Sequence, residues 1–373
     1  MLTAAFWTQR PWLALAVAFG GSRLVIGAIG LVGAASFLDQ HALAVAGASA
    51  LNPEVVWHKW DAVWYERLAL HGYGWEIDTP RGQAAAGFFP LYPLTVGLLL
   101  RILPGLPFFW VGAIVSNLLA FVALALLARH LTRTAEQTAH VMLAIMTAAG
   151  SFYLSIPYAE SLFLLLVVLV MIATRTRRYW IAGLLCGLAF TARAHGLALI
   201  AIPVIACWLD ARLSTRSRVV PIAGTIVLFA IPIAIYLSYL AAVQGSAVAF
   251  VEQQAMWSNA VPYPFRAVVG LVAFPRRIEG WLHFGFWVLY VGLLLRYWRR
   301  LPPGEALYCA GALVISTQQE VFQGIYRYVV PLIPLTLALS DDRPALRTMF
   351  VAINIVFATI MILAFVTNNR LAV

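Results

Sequence analysis

Long apolar runs, separated by short polar segments, make up most of the chain. Because a helix needs roughly 20 apolar residues to cross a bilayer, runs near this length predict transmembrane helices. Such runs lie near residues 11–37, 107–128, 138–155, 158–173, 179–192, 195–209, 219–243, 281–298, 304–320, 326–340 and 345–366. The pattern predicts an all-α polytopic membrane protein with about 11 transmembrane helices, folded as a single integral domain over residues 1–373.

One further run, residues 88–103, is interrupted by prolines and a charge. Pro90, Pro93 and Pro104 disfavour a continuous helix, and Arg101 would lie within the apolar layer. We therefore expect an interfacial or re-entrant segment here. The alternative, a full crossing, would reverse the side of the membrane on which every later loop lies.

The distribution of charge predicts the topology. The formal net charge of +10 would also fit a protein that binds nucleic acid, but the basic residues form short clusters at the ends of apolar runs, as cytoplasmic loops do. Hydrophobic residues make up 62% of the chain and charged residues 11%, and the mean hydropathy is +0.87, so we expect membrane lipids and no nucleic acid as partners. With the N-terminus in the cytoplasm, ten of the 15 acidic residues fall on outer segments. These ten are Asp39, Glu54, Asp61, Glu66, Glu76, Asp78, Glu160, Glu252, Glu279 and Glu320.

The predicted outer segments are few and unequal in length. A first outer loop covers residues 38–87 and a second covers residues 244–280. The others are tight turns with the sequences "SIPYAES", "ARAHG" and "QQEVFQGIYRY". The polar chemistry of the protein is therefore predicted to face the outer, non-cytoplasmic side.

Within the first loop, residues 54–69 have the spacing of an interfacial helix with an aromatic face. The residues on that face are Trp57, Asp61, Trp64, Tyr65 and Leu68. An interfacial anchor with its charges in water explains Glu66 and Arg67. Asp61 lies on the aromatic face instead, where a carboxylate is partly desolvated and suited to abstracting a proton.

The polar segments occur as motifs in an informative order. "KWDAVWYERLALHGY" is followed by "GFFPLYPL", then "PYAESLFLLL", then "RAHGLAL". Together they resemble the membrane mannosyltransferases typified by the second mannosyltransferase of GPI-anchor assembly, the PIG-V type. "IYRYVVPLIPL", near Arg327, is similar to a late motif of the wider GT-C class of glycosyltransferases. One departure is His195, where the family pattern has Asn.

The resemblance implies a GT-C-type fold and an inverting glycosyltransferase. It implies transfer of mannose from a polyprenyl-phosphate-mannose donor to a lipid-linked or cell-envelope acceptor, a glycan or glycolipid, on the outer or lumenal face. The absence of a P-loop or dinucleotide fingerprint from the sequence agrees with a lipid-linked donor. The lipid-phosphate sugar is the expected co-substrate, and dependence on a divalent metal stays open because the acids are isolated along the sequence.

The resemblance and the surroundings of the residues together imply individual roles. Asp61 is the expected general base, with Glu66 as the fallback, and Glu160 is expected to orient the acceptor or an ion. A structural alternative for Glu160 is an acid favoured by the dipole at a helix N-terminus. Residues expected to bind the donor phosphate are Arg193, Arg327, Lys59, His195 and Tyr92. Residues expected at the rim of the substrate site are His58, Trp60, Trp64, His71, Tyr73, Glu320 and Tyr326.

An internal ion pair is an alternative to phosphate binding for Arg327, with Glu320 as its expected partner. Two other functional classes stay open from the sequence. A lipid or glycolipid flippase or transporter would also be polytopic and carry intramembrane Arg and Glu, although such proteins favour repeats and polar sites at the bilayer midplane. A non-catalytic assembly subunit with a transferase-like fold is the other; retention of Asp61 argues against it.

Overall fold

The structure, a computed structural model, describes residues 7, 9–45, 48–73, 85–258 and 262–369. Within these ranges the chain forms helices and turns and no β-strand, which confirms the all-α class. Glu76 and Asp78 of the first outer loop lie outside the described residues. The helices are α1 Pro11–Phe37, α2 Gln40–Val45, α3 Pro53–Trp57, α4 Asp61–His71, α5 Leu91–Ile102, α6 Phe108–His130, α7 Ala135–Met146, α8 Glu160–Arg175, α9 Tyr179–Ala192, α10 Gly196–Leu199, α11 Ala201–Trp208, α12 Thr215–Gln244, α13 Ala249–Ser258, α14 Arg266–Ala273, α15 Ile278–Tyr297, α16 Pro303–Ile315, α17 Ile325–Tyr328, α18 Ile333–Ser340 and α19 Pro344–Val366.

Five of the described helices, α1, α6, α12, α15 and α19, are long and apolar enough to cross a membrane. These helices confirm an integral membrane protein. Several other apolar helices, such as α9 and α16, have fewer than 18 residues. The expected number of about 11 crossings stays a prediction.

The proline-containing run at residues 88–103 forms a single short helix. It begins at Leu91, directly after Pro90, and ends at Ile102. Its 12 residues rise about 18 Å at 1.5 Å per residue, whereas the apolar layer of a bilayer is about 30 Å thick. This length is too short for a full crossing, as the interfacial or re-entrant expectation requires.

The interfacial helix predicted over residues 54–69 is wrong as one continuous element. The structure divides it into α3 and α4, with a sharp change of direction at residues 58–60. Trp60 has φ 56°, a backbone angle that side-chain-bearing residues rarely adopt and that ends a right-handed helix. Asp61 consequently begins a new helix, where the positive end of the helix dipole favours a carboxylate.

Two other predicted spans are also interrupted, and prolines account for both breaks. The run at 195–209 forms α10 and α11, since Pro203 has no N–H to donate to the carbonyl of Leu199. The run at 326–340 forms α17 and α18, because Pro331 disfavours helical geometry in the residue before it. Arg327 therefore lies on a one-turn helix instead of inside a membrane span.

Helices α8 and α9 bring the ends of two polar motifs together. Gly183 and Gly187 on α9 lie against the carbonyl oxygens of Thr225 and Phe229 on α12, where a Cβ would overlap them. Such close backbone approach through glycine is typical of packed membrane helices. Because α8 begins at Glu160 and α9 is followed by Arg193, both side chains lie at the same end of this pair.

Candidate active site

Four charged side chains from distant parts of the sequence meet at one end of the helix bundle. Arg327 Nη1 donates to Asp61 Oδ2 at 2.6 Å and lies 3.7 Å from Glu160 Oε1. Glu160 in turn contacts Arg193. We call Asp61, Glu160, Arg193 and Arg327 the four-charge network. Its two carboxylates and two guanidinium groups balance, so no uncompensated charge is buried.

Exposure differs across the four-charge network. The Glu160 side chain is 2% exposed, Arg327 9% and Arg193 11%, whereas Asp61 is 18% exposed. Burying a charged group in such surroundings destabilises the protein unless the group is paired with an opposite charge. Asp61 is therefore the carboxylate of the network that a substrate can approach most readily.

Tyrosine rings surround the two arginines. The guanidinium of Arg327 lies 5.4 Å from the ring centre of Tyr153 and 5.1 Å from that of Tyr328, and its Nη2 donates to the Tyr328 hydroxyl at 3.1 Å. Arg193 lies 4.9 Å from the same Tyr328 ring. Cation–π contacts of this kind stabilise a cation where water is excluded. The rings hold both guanidinium groups in defined orientations.

A buried tyrosine fixes the backbone at Asp61. The Tyr158 hydroxyl donates to the carbonyl of Lys59 at 2.9 Å and accepts from the Asp61 amide at 3.2 Å. These two bonds span the turn at Trp60 and compensate for its unfavourable φ. The start of α4 is thus tied to the segment that precedes Glu160.

The segment before Tyr158 also contacts the backbone of Arg327 directly. Gly150 lies against the backbone of Tyr326 and Arg327, where a Cβ would overlap the Tyr326 carbonyl oxygen. On its other side, Arg23 from α1 donates to the carbonyl of Ser151 at 3.1 Å and to the Ser155 hydroxyl at 2.5 Å. The tight packing positions Arg327 through its main chain as well as its side chain.

His195 packs into the same region but as a neutral group. Its Nε2 lies 2.9 Å from Ser316 Oγ, and the Ser316 hydroxyl already donates to the carbonyl of Ala312. Nε2 therefore carries the proton. Burial, together with the charges of Arg193 and Arg327, lowers the pKa of His195 to about 3. The expectation that it adds positive charge for a phosphate does not agree with this environment.

The structure gives two other expected phosphate ligands internal partners. Tyr92 is fully buried. Its hydroxyl lies within hydrogen-bond distance of the Gly112 carbonyl at 3.0 Å and of Ser116 Oγ at 2.9 Å, so Tyr92 is no longer a candidate for binding the donor phosphate. Lys59 Nζ donates to the carbonyl of Val366, at the end of α19, at 2.5 Å. Burial lowers the pKa of Lys59 to about 8.

Two acidic residues predicted near the chemistry have other partners. Glu66 lies 3.4 Å from His58 Nε2, and it is the more exposed member of this pair. Glu320 lies 3.8 Å from Arg277. The predicted alternative of an Arg327–Glu320 pair is therefore wrong, because Asp61 takes the place expected of Glu320.

The predicted rim residues divide into exposed and buried groups. His71 is exposed at the end of α4, and Trp60 is half-buried. Tyr73 is buried, with its hydroxyl donating to the Phe88 carbonyl at 2.5 Å, and Trp64 stacks on Phe88 with ring centres 5.6 Å apart. Tyr326 is also buried, beside Tyr153. For Trp64, Tyr73 and Tyr326 the rim prediction is wrong, because their rings fill the core.

Sequence reasoning named all four charged members of the network but missed its tyrosines. Tyr158 and Tyr328 lie inside the motifs "PYAES" and "IYRY", next to the charged residues that were singled out. The same adjacency could have identified them. The structure gives no direct indication of metal binding. In the part of the chain that it describes, no group of three or more His, Cys, Asp or Glu residues is suited to hold an ion.

The fold and the comparisons define the class of protein. The family model described as Mannosyltransferase (PIG-V) matches residues 48–239, just over half of the 373-residue chain. Neither the search of curated proteins nor the search of solved structures found a match. The protein is thus a membrane-embedded glycosyltransferase. The chain belongs to the PIG-V mannosyltransferase family.

Proposed function

We propose that the protein transfers mannose from a polyprenyl-phosphate-mannose donor to a lipid-linked or cell-envelope acceptor, at the outer face and with inversion of the anomeric centre. The observation that carries the proposal is the direct contact of Asp61 with Arg327 beside the Glu160–Arg193 pair. A single displacement needs a base for the acceptor hydroxyl and positive charge for the leaving phosphate. The four-charge network supplies both kinds of group.

Asp61 is the proposed base. Its carboxylate is the most exposed member of the network, and its other oxygen, Oδ1, is not the atom held by Arg327. In an inverting reaction the acceptor hydroxyl approaches C1 of the sugar opposite the phosphate, and Asp61 takes the hydroxyl proton as the new bond forms. The bond between C1 and the phosphate oxygen breaks in the same step, and its electron pair leaves with the phosphate.

The pairing of Asp61 with Arg327 connects these two events. Before transfer, the charge of Arg327 is balanced by Asp61 at 2.6 Å. When Asp61 takes the proton it becomes neutral, while the leaving phosphate gains a negative charge. Arg327 then interacts with the phosphate without competition from Asp61, and Glu160 at 3.7 Å is the carboxylate that remains beside it. Positive charge becomes available where the transition state needs it, with little net change of charge in the site.

Glu160 has a positioning role in this proposal. Being 2% exposed, it contacts Arg193 and lies 3.7 Å from Arg327. A carboxylate between two guanidinium groups reduces their mutual repulsion and holds both toward one point. This assignment replaces the expectation that Glu160 orients the acceptor itself.

The donor is tested by comparing sugar carriers. Purified protein in proteoliposomes with membrane extract as acceptor should transfer labelled mannose from polyprenyl-phosphate-mannose. Equal amounts of GDP-mannose and of polyprenyl-phosphate-glucose serve as matched donors that change the carrier or the sugar. Transfer from GDP-mannose in a system free of polyprenyl phosphate would contradict a lipid-linked donor, and preferential transfer of glucose would contradict mannose.

The outer orientation of the site is tested by cysteine labelling. Leu51 in the first loop is 67% exposed, and Arg177 at the opposite end of the α8–α9 pair is exposed as well. In a background where the three native cysteines are replaced by Ser, we expect a membrane-impermeant maleimide to label Leu51→Cys in intact cells. Arg177→Cys should react only after permeabilisation. The reverse labelling pattern would place the four-charge network on the cytoplasmic face.

A further inference from the structure

The end of the bundle opposite the four-charge network contains a charged cavity. Helix α8 rises about 24 Å over its 16 residues from Glu160 to Arg175, and α9 returns from Tyr179. The cavity lies at the start of α9, beside residues 210–213 and the first turns of α12, and has a volume of about 450 Å³. It is therefore located at the other end of the bundle, where we infer the opposite surface of the membrane.

The acidic residue of the cavity, Asp210, already has three partners within the protein. Asp210 accepts from the Tyr179 hydroxyl at 3.0 Å and from the Arg212 amide at 3.1 Å, and it lies 3.1 Å from Arg177 Nη2. The Arg212 amide, with Tyr179 and Arg177, lowers the pKa of Asp210. This carboxylate stays charged and balances Arg177.

Two arginines of the cavity form no close ion pair within the described part of the chain. Arg178 and Arg212 line it, and neither has a carboxylate oxygen within 4.0 Å among the residues that the structure describes. Arg177 is balanced by Asp210, so the cavity carries an excess of about two positive charges. Guanidinium groups bind phosphate through paired hydrogen bonds.

The rest of the cavity wall is apolar. Trp180, Leu213 and Pro221 line it, and Trp180 is 50% exposed. A volume of about 450 Å³ is within the range of small-molecule sites and far exceeds what a single inorganic phosphate fills. The charge of the cavity thus indicates a phosphate group, and its size and lining indicate that a larger, partly apolar molecule carries that phosphate.

We propose that this cavity binds the headgroup of an anionic glycerophospholipid from the membrane leaflet opposite the four-charge network. Arg178 and Arg212 contact the phosphate, and Trp180 and Leu213 pack against the glycerol and the first methylenes of the acyl chains. The inference does not depend on the proposed sugar transfer, since it concerns other residues at the other end of α8 and α9.

The test is lipid binding by native mass spectrometry, with phosphatidylglycerol and phosphatidylcholine as matched probes. Wild-type protein should retain phosphatidylglycerol in preference to phosphatidylcholine. The variant R178Q/R212Q should bind phosphatidylglycerol at least about tenfold more weakly, as expected for the loss of two interfacial charges. R216Q, which removes an exposed arginine of α12 that does not line the cavity, is the control and should bind like the wild type.

Two further variants separate binding from folding. R178K/R212K keeps both charges and should retain most of the preference, whereas Trp180→Ala should weaken binding of both lipids without changing the preference between them. Equal binding of phosphatidylglycerol by R178Q/R212Q and the wild type would overturn the proposal. Release of the bound lipid by millimolar inorganic phosphate would also overturn it, by showing a site for free phosphate.

Discussion

Replacing Asp61 with Asn is expected to lower the turnover of mannosyl transfer by roughly two to four orders of magnitude, the range for loss of a general base. Asn has nearly the same volume and can still accept a hydrogen bond from Arg327 through its amide oxygen. The variant therefore keeps a hydrogen bond in place of the 2.6 Å contact with Arg327 but loses the carboxylate that accepts the proton. The measurement is kcat at saturating polyprenyl-phosphate-mannose and acceptor, in the proteoliposome assay.

The control for Asp61 is Glu66→Gln, which removes the other carboxylate of α4. Glu66 is paired with His58 outside the four-charge network, so this variant should keep turnover within a few fold of the wild type. Donor binding should not be weakened by Asp61→Asn, because the base acts on the acceptor and the loss of its charge leaves Arg327 freer to contact the donor phosphate. A fully active Asp61→Asn protein, or a larger loss in Glu66→Gln, would eliminate Asp61 as the base.

The second large effect is expected at Arg327. Arg327→Lys keeps a positive charge but cannot reach Asp61 and the Tyr328 hydroxyl together, as Nη1 and Nη2 do. We expect kcat/KM for the donor to fall by about 10²–10³, the scale for removing one well-placed stabilising group from a transition state. The donor KM should rise more than the acceptor KM. An unchanged donor KM would remove Arg327 from the phosphate role.

Arg277→Lys is the matched control for Arg327→Lys. Arg277 is 40% exposed and pairs loosely with Glu320 at 3.8 Å, so its replacement should leave the donor KM unchanged. Combining Asp61→Asn with Arg327→Lys tests whether the two residues act as a unit. If proton transfer and phosphate stabilisation are coupled, the double variant should lose much less activity than the product of the two single losses.

The sequence was sufficient to predict the membrane class and the charged residues of the site, but not their pairing. Asp61, Arg193 and Arg327 stand out because a charged group in apolar surroundings needs a partner, and Glu160 stands out as the acid of the motif "PYAES". Asp61 and Arg327 are 266 positions apart, and local spacing carries no information about contacts over such a distance. The sequence accordingly predicts phosphate binding for Arg327 and offers Glu320, not Asp61, as its alternative internal partner.

The errors over aromatic residues have a related physical cause. Tyrosine is common at membrane surfaces, and it is also common in a protein core that provides a hydrogen-bond partner for its hydroxyl. Tyr92 and Tyr73 were expected at the donor site and rim, yet both hydroxyls bond to main-chain carbonyls inside the protein. The break at Trp60 was missed because helical spacing continues across it, while its positive φ depends on bonds from the distant Tyr158.

The contact of Gly150 with the backbone of Arg327 has a consequence for biogenesis. Translation delivers Asp61 and Glu160 to the membrane long before Arg327, and the match to the family ends at residue 239. A nascent chain that has inserted this far contains both carboxylates but lacks the cation that joins them. The four-charge network therefore becomes complete only when the segment that carries Arg327 docks against Gly150, and under the proposed function a chain stalled before that point would be inactive.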